Sequence, residues 1–244
     1  MSFHDREESI LKHLYEKGSL KNSELAKLLY VSPATLRRDL KALEEKELIV
    51  REYGTCRLSK KLRDERTLFQ LQEQQHSSAK MKIARKAVKL IENGNIILLD
   101  GSSTAYNIIH LLEGFEDLLV ITNNVKTSYA LGTVGIDNII AGGHMIKNTF
   151  SCVGETTLNI IRNYNADIMF FSCKGINEEG YLTDTFVELD VVRREMMRHA
   201  KKKVLLCAKE KFGKNYMHNL CHISEMDEVI CEEELPEYIL KYLK

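Results

Sequence analysis

The run Val31-Ser32-Pro33-Ala34-Thr35-Leu36-Arg37-Arg38-Asp39-Leu40 holds a helix start, a buried face and a cationic face in one short segment. Ser32 is suited to accept an orphan N–H at a helix N-terminus, and Pro33 at the first helical position loses no hydrogen bond. A helix is therefore expected from Ser32-Pro33 to about Glu45, with Leu36, Leu40 and Leu43 at i, i+4, i+7 facing inward. At about 100° per residue the opposite side carries Ala34, Arg38, Lys41 and Glu45, flanked by Thr35 and Arg37. Small and positive groups near a helix N-terminus suit the major groove of double-stranded DNA. Arg can reach guanine O6 and N7 with two hydrogen bonds, Thr a base or a phosphate, and the first-turn N–H groups a phosphate. On its own the same pattern also describes the solvated face of a small helical domain.

The segments on either side support the first reading. Upstream, Ile10, Leu11 and Leu14 mark a helix stopped at Gly18, and Asn22 is the expected N-cap of a second helix with Leu25, Leu28 and Leu29 on one face. Tyr30-Val31 then makes a tight break. Downstream, residues 48–58 alternate around Tyr53-Gly54-Thr55 and read as a hairpin, with Arg51 and Tyr53 as candidate backbone or minor-groove contacts. Helix, helix, turn, helix and hairpin make a winged helix-turn-helix over residues 1–58. Residues 59–78 are polar and rich in Lys, Arg, Glu and Gln, and are expected to be a partly helical linker.

From Glu24-Leu25-Ala26 through Val31-Ser32-x-x-Thr35-x-Arg37-Arg38-Asp39-Leu40 to Leu43-Glu44, the chain closely resembles the DNA-binding head of the DeoR family of bacterial transcriptional regulators. That family usually continues with a His-Gly-Gly-Ala wing, where this chain has Tyr53-Gly54-Thr55-Cys56.

Beyond Ala79 short apolar runs alternate with amphipathic stretches. Runs at 96–99, 118–121, 138–141, 168–171, 204–207 and 228–231 read as buried strands, and stretches at 104–112, 125–131, 155–162 and 187–199 as helices. This is an α/β domain with a mostly parallel sheet, placed at residues 79–244. The run at 96–99 leads into Asp100-Gly101-Ser102-Ser103-Thr104, a Gly and hydroxyl-rich loop opening a helix, which suits a phosphate. The loop resembles the Asp-x-Gly-Ser-Thr element of the family's sensor domain. Thr122-Asn123-Asn124 and Gly142-Gly143 fall where its Thr-Asn-Ser and Gly-Gly elements stand. The resemblance implies a sensor domain similar to ribose-5-phosphate isomerase, glucosamine-6-phosphate deaminase and CoA-transferase-like folds, holding a phosphorylated sugar or related anion.

Two departures shift the charge of that site. The family commonly has Ala-Asp-Ser-Ser-Lys-Phe-Gly where this chain has Cys207-Ala208-Lys209-Glu210-Lys211-Phe212-Gly213, so Lys211 stays and an acid becomes Ala208. Lys174 stands where the family has the acid of its Asp-Gly-Ile segment. Either the ligand is more anionic than an ordinary sugar monophosphate, or sensing has weakened.

The chain has 244 residues, 44% apolar and 29% charged, enough to bury a core in two domains. Its 35 basic and 35 acidic residues cancel, but residues 1–63 hold 14 basic against 10 acidic ones, leaving the remainder at −4. The head's sign suits a nucleic-acid partner. Six dispersed cysteines without a Cys-x-x-Cys pair read as reduced core residues, and a polar N-terminus with no long apolar run points to a cytoplasmic chain with no membrane partner.

No cofactor or metal is expected, and His218-x-x-Cys221-His222 reads as coincidental spacing. Lys201-Lys202-Lys203 reads as a solvated helix end. The expected function is a DNA-binding regulator, a repressor of carbohydrate-metabolism genes, acting as a homodimer or higher homo-oligomer on an operator. Two alternatives stay open. One is a body that only oligomerises. The other is a sugar-phosphate isomerase or deaminase with Asp100 and Glu155 as candidate bases.

Overall fold

The computed structural model describes residues 3–59, 77–146 and 149–243. They belong to two compact units, Met1–Gln75 and His76–Lys244. Most of the linker reading falls on residues 60–76, outside the described residues.

The first unit runs α1 (Phe3–Lys17), β1 (Ser19–Lys21), α2 (Asn22–Leu28), α3 (Pro33–Glu45), β2 (Ile49–Glu52) and β3 (Thr55–Leu58). Ile10, Leu14, Leu25, Leu36, Leu40 and Leu43 meet in its core, each burial being worth about 1.5–3 kcal/mol. Tyr53 and Gly54 have φ of 47° and 78°, the left-handed pair that a two-residue hairpin turn needs. Three details differ from expectation. A third strand, β1, pairs antiparallel with β3. Asn22 is the first helical residue of α2, not its cap, and Glu24 accepts the Lys21 N–H at 3.3 Å. Leu28 is exposed, because α2 is only two turns long and its inner side is filled by Leu25.

Asp39 is 3% exposed although it follows two arginines on α3. Arg6 of α1 clamps it with both forks of its guanidinium, Nε at 2.6 Å and Nη2 at 3.0 Å. Asp39→Ala is expected to cost about 2 kcal/mol, the worth of a charged hydrogen-bonded pair. Amide exchange in α1 and α3 would then accelerate, and unchanged exchange there would remove the clamp from this account.

The second unit contains α4 (Ser77–Ala87), β4 (Ile96–Leu99), α5 (Ser103–Tyr106), β5 (Leu119–Thr122), α6 (Val125–Thr133), β6 (Asp137–Ile140), β7 (His144–Met145) and β8 (Cys152–Val153). There follow α7 (Glu155–Arg162), β9 (Ala166–Phe171), β10 (Gly175–Ile176), β11 (Tyr181–Asp184), α8 (Val187–Arg198), β12 (Ala200–Leu206), β13 (His218–His222), β14 (Glu228–Ile230) and α9 (Glu237–Leu240). One sheet has the order β14-β12-β9-β4-β5-β6 with every pair parallel. The chain leaves β4 toward one edge and returns to β9 on its other side. The crevice at the carboxyl ends of β4 and β9 is thus the topological switch point, where open α/β sheets bind ligands.

The expected helix at 104–112 is only α5 followed by a 3-10 turn at Ile109–Leu111. Lys201, Lys202 and Lys203 lie inside β12, not at a helix end. They pair with Asp167 at 2.8 Å, Glu228 at 2.8 Å and Asp227 at 3.8 Å, because acids border that strand on both sides. All six cysteines are buried and none forms a disulfide. Among the described residues no helix is long and apolar enough to cross a membrane.

Candidate functional site

On α3, Ser32 caps the helix by accepting the Thr35 N–H at 3.1 Å, and the two hydroxyls lie 2.9 Å apart. Ala34, Arg37, Arg38 and Lys41 are exposed and Thr35 is half-buried. Lys41 faces Glu45 at 3.8 Å, whereas neither Arg37 nor Arg38 has an ion pair among the described residues. Arg51 of β2 is held by Glu44 at 3.3 Å, and Arg57 of β3 by Glu52 at 2.8 Å, so the hairpin's cations are already partnered. Tyr53 at the hairpin tip is fully exposed, as is Tyr30 in the turn before α3, whose φ is 53°. The tight break expected at Tyr30-Val31 is this turn.

In the body, the loop after β4 and the loop after β9 are tied through Asp100, which is 1% exposed. Its Oδ1 accepts the Ser102 N–H at 3.0 Å, and its Oδ2 accepts the Ser172 N–H at 3.4 Å. Arg193 of α8 also donates to that oxygen at 3.1 Å, and to Asp184 at 2.9 Å and Asp190 at 2.8 Å. His218 Nδ1 lies 2.8 Å from the other Asp190 oxygen. Burial alone would weaken the guanidinium's hold on its proton, but Asp184, Asp100 and Asp190 raise its pKa above the ordinary value. Burial lifts the Asp190 carboxyl above its usual range against the pull of Arg193 and His218.

Two lysines reach the same strand ends. Lys211 donates to Ser172 Oγ at 2.7 Å, and the Ser172 hydroxyl donates to the Leu206 carbonyl at 2.6 Å. Lys80 of α4, which is buried, donates to Ser103 Oγ at 3.0 Å. Gly101, Ser102 and Ser103 are half-buried and Thr104 is buried. Ser102 caps α5 by accepting the Ala105 N–H at 3.2 Å. A Cβ at Gly101 would run into Ser151 Oγ and stand 2.9 Å from Asn124 Nδ2, so any side chain there would force Ser151 and Asn124 to shift.

The remaining candidates divide between structure and rim. Thr122 Oγ1 accepts the Asn124 N–H at 3.2 Å, and Asn123 donates its amide to the Cys152 carbonyl at 2.8 Å, both side chains being buried. Gly142 offers its carbonyl to Thr157 at 2.9 Å, while Gly143 is exposed beside it. Lys174 is exposed, donates to Thr185 Oγ1 at 3.3 Å and sits 4.8 Å from the centre of the Tyr216 ring. Ala208 is fully buried. Lys80, Ser172 and the Arg193 cluster were not foreseen. The Asp190 and Arg193 spacing of i, i+3 was the one available signal for the cluster.

Comparison with known proteins gives two profile matches, a DeoR-like helix-turn-helix domain over residues 6–61 and a DeoR C terminal sensor domain over residues 75–233. The HTH-type transcriptional regulator GolR of Listeria innocua is 31% identical, covering 97% of this chain and 93% of its own. The glycerol-3-phosphate regulon repressor of Escherichia coli K12 is 28% identical over 98% and 94%. The L-fucose operon activator of the same strain is 28% identical over 93% and 94%. Among solved structures, eIF2B delta from Chaetomium thermophilum aligns over 66% of this chain and 57% of that one. Its TM-score of 0.51 at 18% identity is a likeness of fold alone. With one profile on the head and the other over more than half of the chain, this protein belongs to the DeoR family of transcriptional regulators.

Proposed function

We propose that the chain represses carbohydrate-use genes by binding a duplex operator through α3, and that a phosphorylated sugar or related anion at the β4/β9 crevice changes its operator affinity. The observation that carries the DNA part is the pair Arg37 and Arg38, exposed and without an ion pair among the described residues, on a helix locked from beneath by Asp39 and Arg6. Lys211 and Lys80, each donating to a hydroxyl at the crevice, support an anionic ligand. Relatives named for a glycerol-3-phosphate regulon and for the aga and L-fucose operons support the metabolic assignment. The active species is a cytoplasmic homodimer or higher homo-oligomer, since two heads on a symmetric body match two half-sites.

An enzymatic reading finds little support. The Asp100 carboxylate is fully engaged with Arg193 and two backbone N–H groups, and Glu155 is paired with Arg162 at the surface. Neither is free to take a proton from a substrate carbon.

The test is an operator-binding titration in the presence of sugar mono- and bisphosphates. Lys211→Ala is expected to leave operator affinity unchanged and to weaken the effector's action about tenfold, the loss of one charged contact of roughly 1.4 kcal/mol. Abolished operator binding in that variant would overturn this division of labour. Operator affinity indifferent to every phosphate would favour a body that only oligomerises.

A further inference from the structure

Four lysines of the second unit, Lys201, Lys202, Lys203 and Lys209, each face an acid. Lys174 and Lys211 differ, since neither ammonium group has a carboxylate partner among the described residues. Lys211 donates to the Ser172 hydroxyl, and Lys174 donates to the Thr185 hydroxyl and stands over the Tyr216 ring. A hydroxyl and a ring orient an ammonium group without neutralising it. Both lysines therefore present an uncompensated positive charge.

The two charges are held a fixed step apart. Lys174 follows Ser172 by two residues, a span of at most about 7 Å between their Cα atoms, and Lys211 sits on Ser172 itself. The surroundings of Lys174 are tightly built. A Cβ at Gly175 would stand 2.6 Å from the Lys214 carbonyl oxygen and 2.9 Å from Tyr216 Cε2, so the bare backbone there lets the ring lie beside Lys174. The Tyr216 N–H donates to Thr183 Oγ1 at 3.1 Å, which fixes the start of that ring.

Arg193 ties both places together. Thr185, the hydroxyl partner of Lys174, gives its backbone N–H to Asp184 at 2.7 Å, and Arg193 holds Asp184. Ser172, the hydroxyl partner of Lys211, gives its backbone N–H to Asp100, and Arg193 holds Asp100 as well. The same buried guanidinium thus braces the support of each lysine, and the spacing between them is part of the fold.

We propose that the crevice has two anion subsites, the first at Lys211 with Ser172 and the loop from Gly101 to Thr104, the second at Lys174 with Thr185, and that its effector is a phosphorylated sugar or polyol carrying a second anionic group. This rests on the anion-binding reading above and names the class of its ligand. A second phosphate and a carboxylate share the needed chemistry, since each offers charged acceptor oxygens to an ammonium group. A sugar with one phosphate fills the first subsite and leaves Lys174 on its hydroxyl and ring.

Titration calorimetry of the full chain with two matched pairs tests it: fructose 6-phosphate against fructose 1,6-bisphosphate, and glucose 6-phosphate against 6-phosphogluconate. In at least one pair the doubly anionic member is expected to bind about tenfold more tightly, a difference of about 1.4 kcal/mol. The pair that shows it identifies the second group as phosphate or carboxylate. Lys174→Met should bring that ratio close to one, Lys174→Arg should keep most of it, and Lys211→Ala should weaken every member that binds. Pairs whose members bind alike, or a ratio that Lys174→Met leaves intact, would overturn the second subsite and leave the single-anion reading standing. A wild-type chain that binds none of the four compounds would overturn both.

Discussion

Arg193→Met is expected to destabilise the sensor unit by about 3–5 kcal/mol, the cost of breaking a buried ion cluster from one side. The guanidinium is the charge partner of Asp100, Asp184 and Asp190, all of which are buried. Removing it leaves three buried carboxylates without their shared guanidinium, Asp190 keeping the ring nitrogen of His218 at 2.8 Å. Methionine fills much of the volume, so the loss reports charge and not a cavity. Arg193→Lys should fall between, because one ammonium cannot span three carboxylates as a planar fork does. Denaturant midpoints of the full chain read both variants. A loss below about 1 kcal/mol, the range of exposed pairs, would mean that the three acids are hydrated and the cluster is incidental.

The second large effect belongs to the head. Arg37→Ala and Arg38→Ala should each weaken operator binding by about 1–3 kcal/mol, whereas Lys41→Ala and Arg51→Ala should do less. Lys41 and Arg51 are already partnered by Glu45 and Glu44, and those pairs must be shared or broken before either cation reaches DNA. Arg37 and Arg38 have no such competitor among the described residues. The dependence of affinity on salt separates their roles. A lost phosphate contact lowers the salt slope by about one and weakens all sequences alike, while a lost base contact relaxes preference at one position. Equal effects from all four cations would contradict this ranking.

Much of the architecture was legible because its physics is local. The inner strands β4, β5 and β9 are buried on both sides and appear as plain apolar runs, and α3 announces itself through Ser32, Pro33 and three leucines. The short antiparallel strands were not legible. Pairs such as Gly175–Ile176 and His144–Met145 exist only because a partner lies beside them. Lys201, Lys202 and Lys203 misled for the related reason that their acids lie on other elements. The candidate site divides in the same way. The loop from Asp100 to Thr104 could be read from its composition. Arg193 could not, since a helical arginine is ordinarily solvated and only the fold brings three acids to it.

The adjacency of β4 and β9 also sets the order in which the molecule can form. Ile96 meets Asp167 across 71 positions of chain, so the central pair of the sheet waits for a long loop to close. Among the described residues of the head, the last element ends at Leu58. During synthesis from the N-terminus, a folded DNA-reading head emerges well before the strands that frame the crevice can pair. For that interval the nascent chain carries a reader without a regulator, and the delay is a consequence of strand order alone.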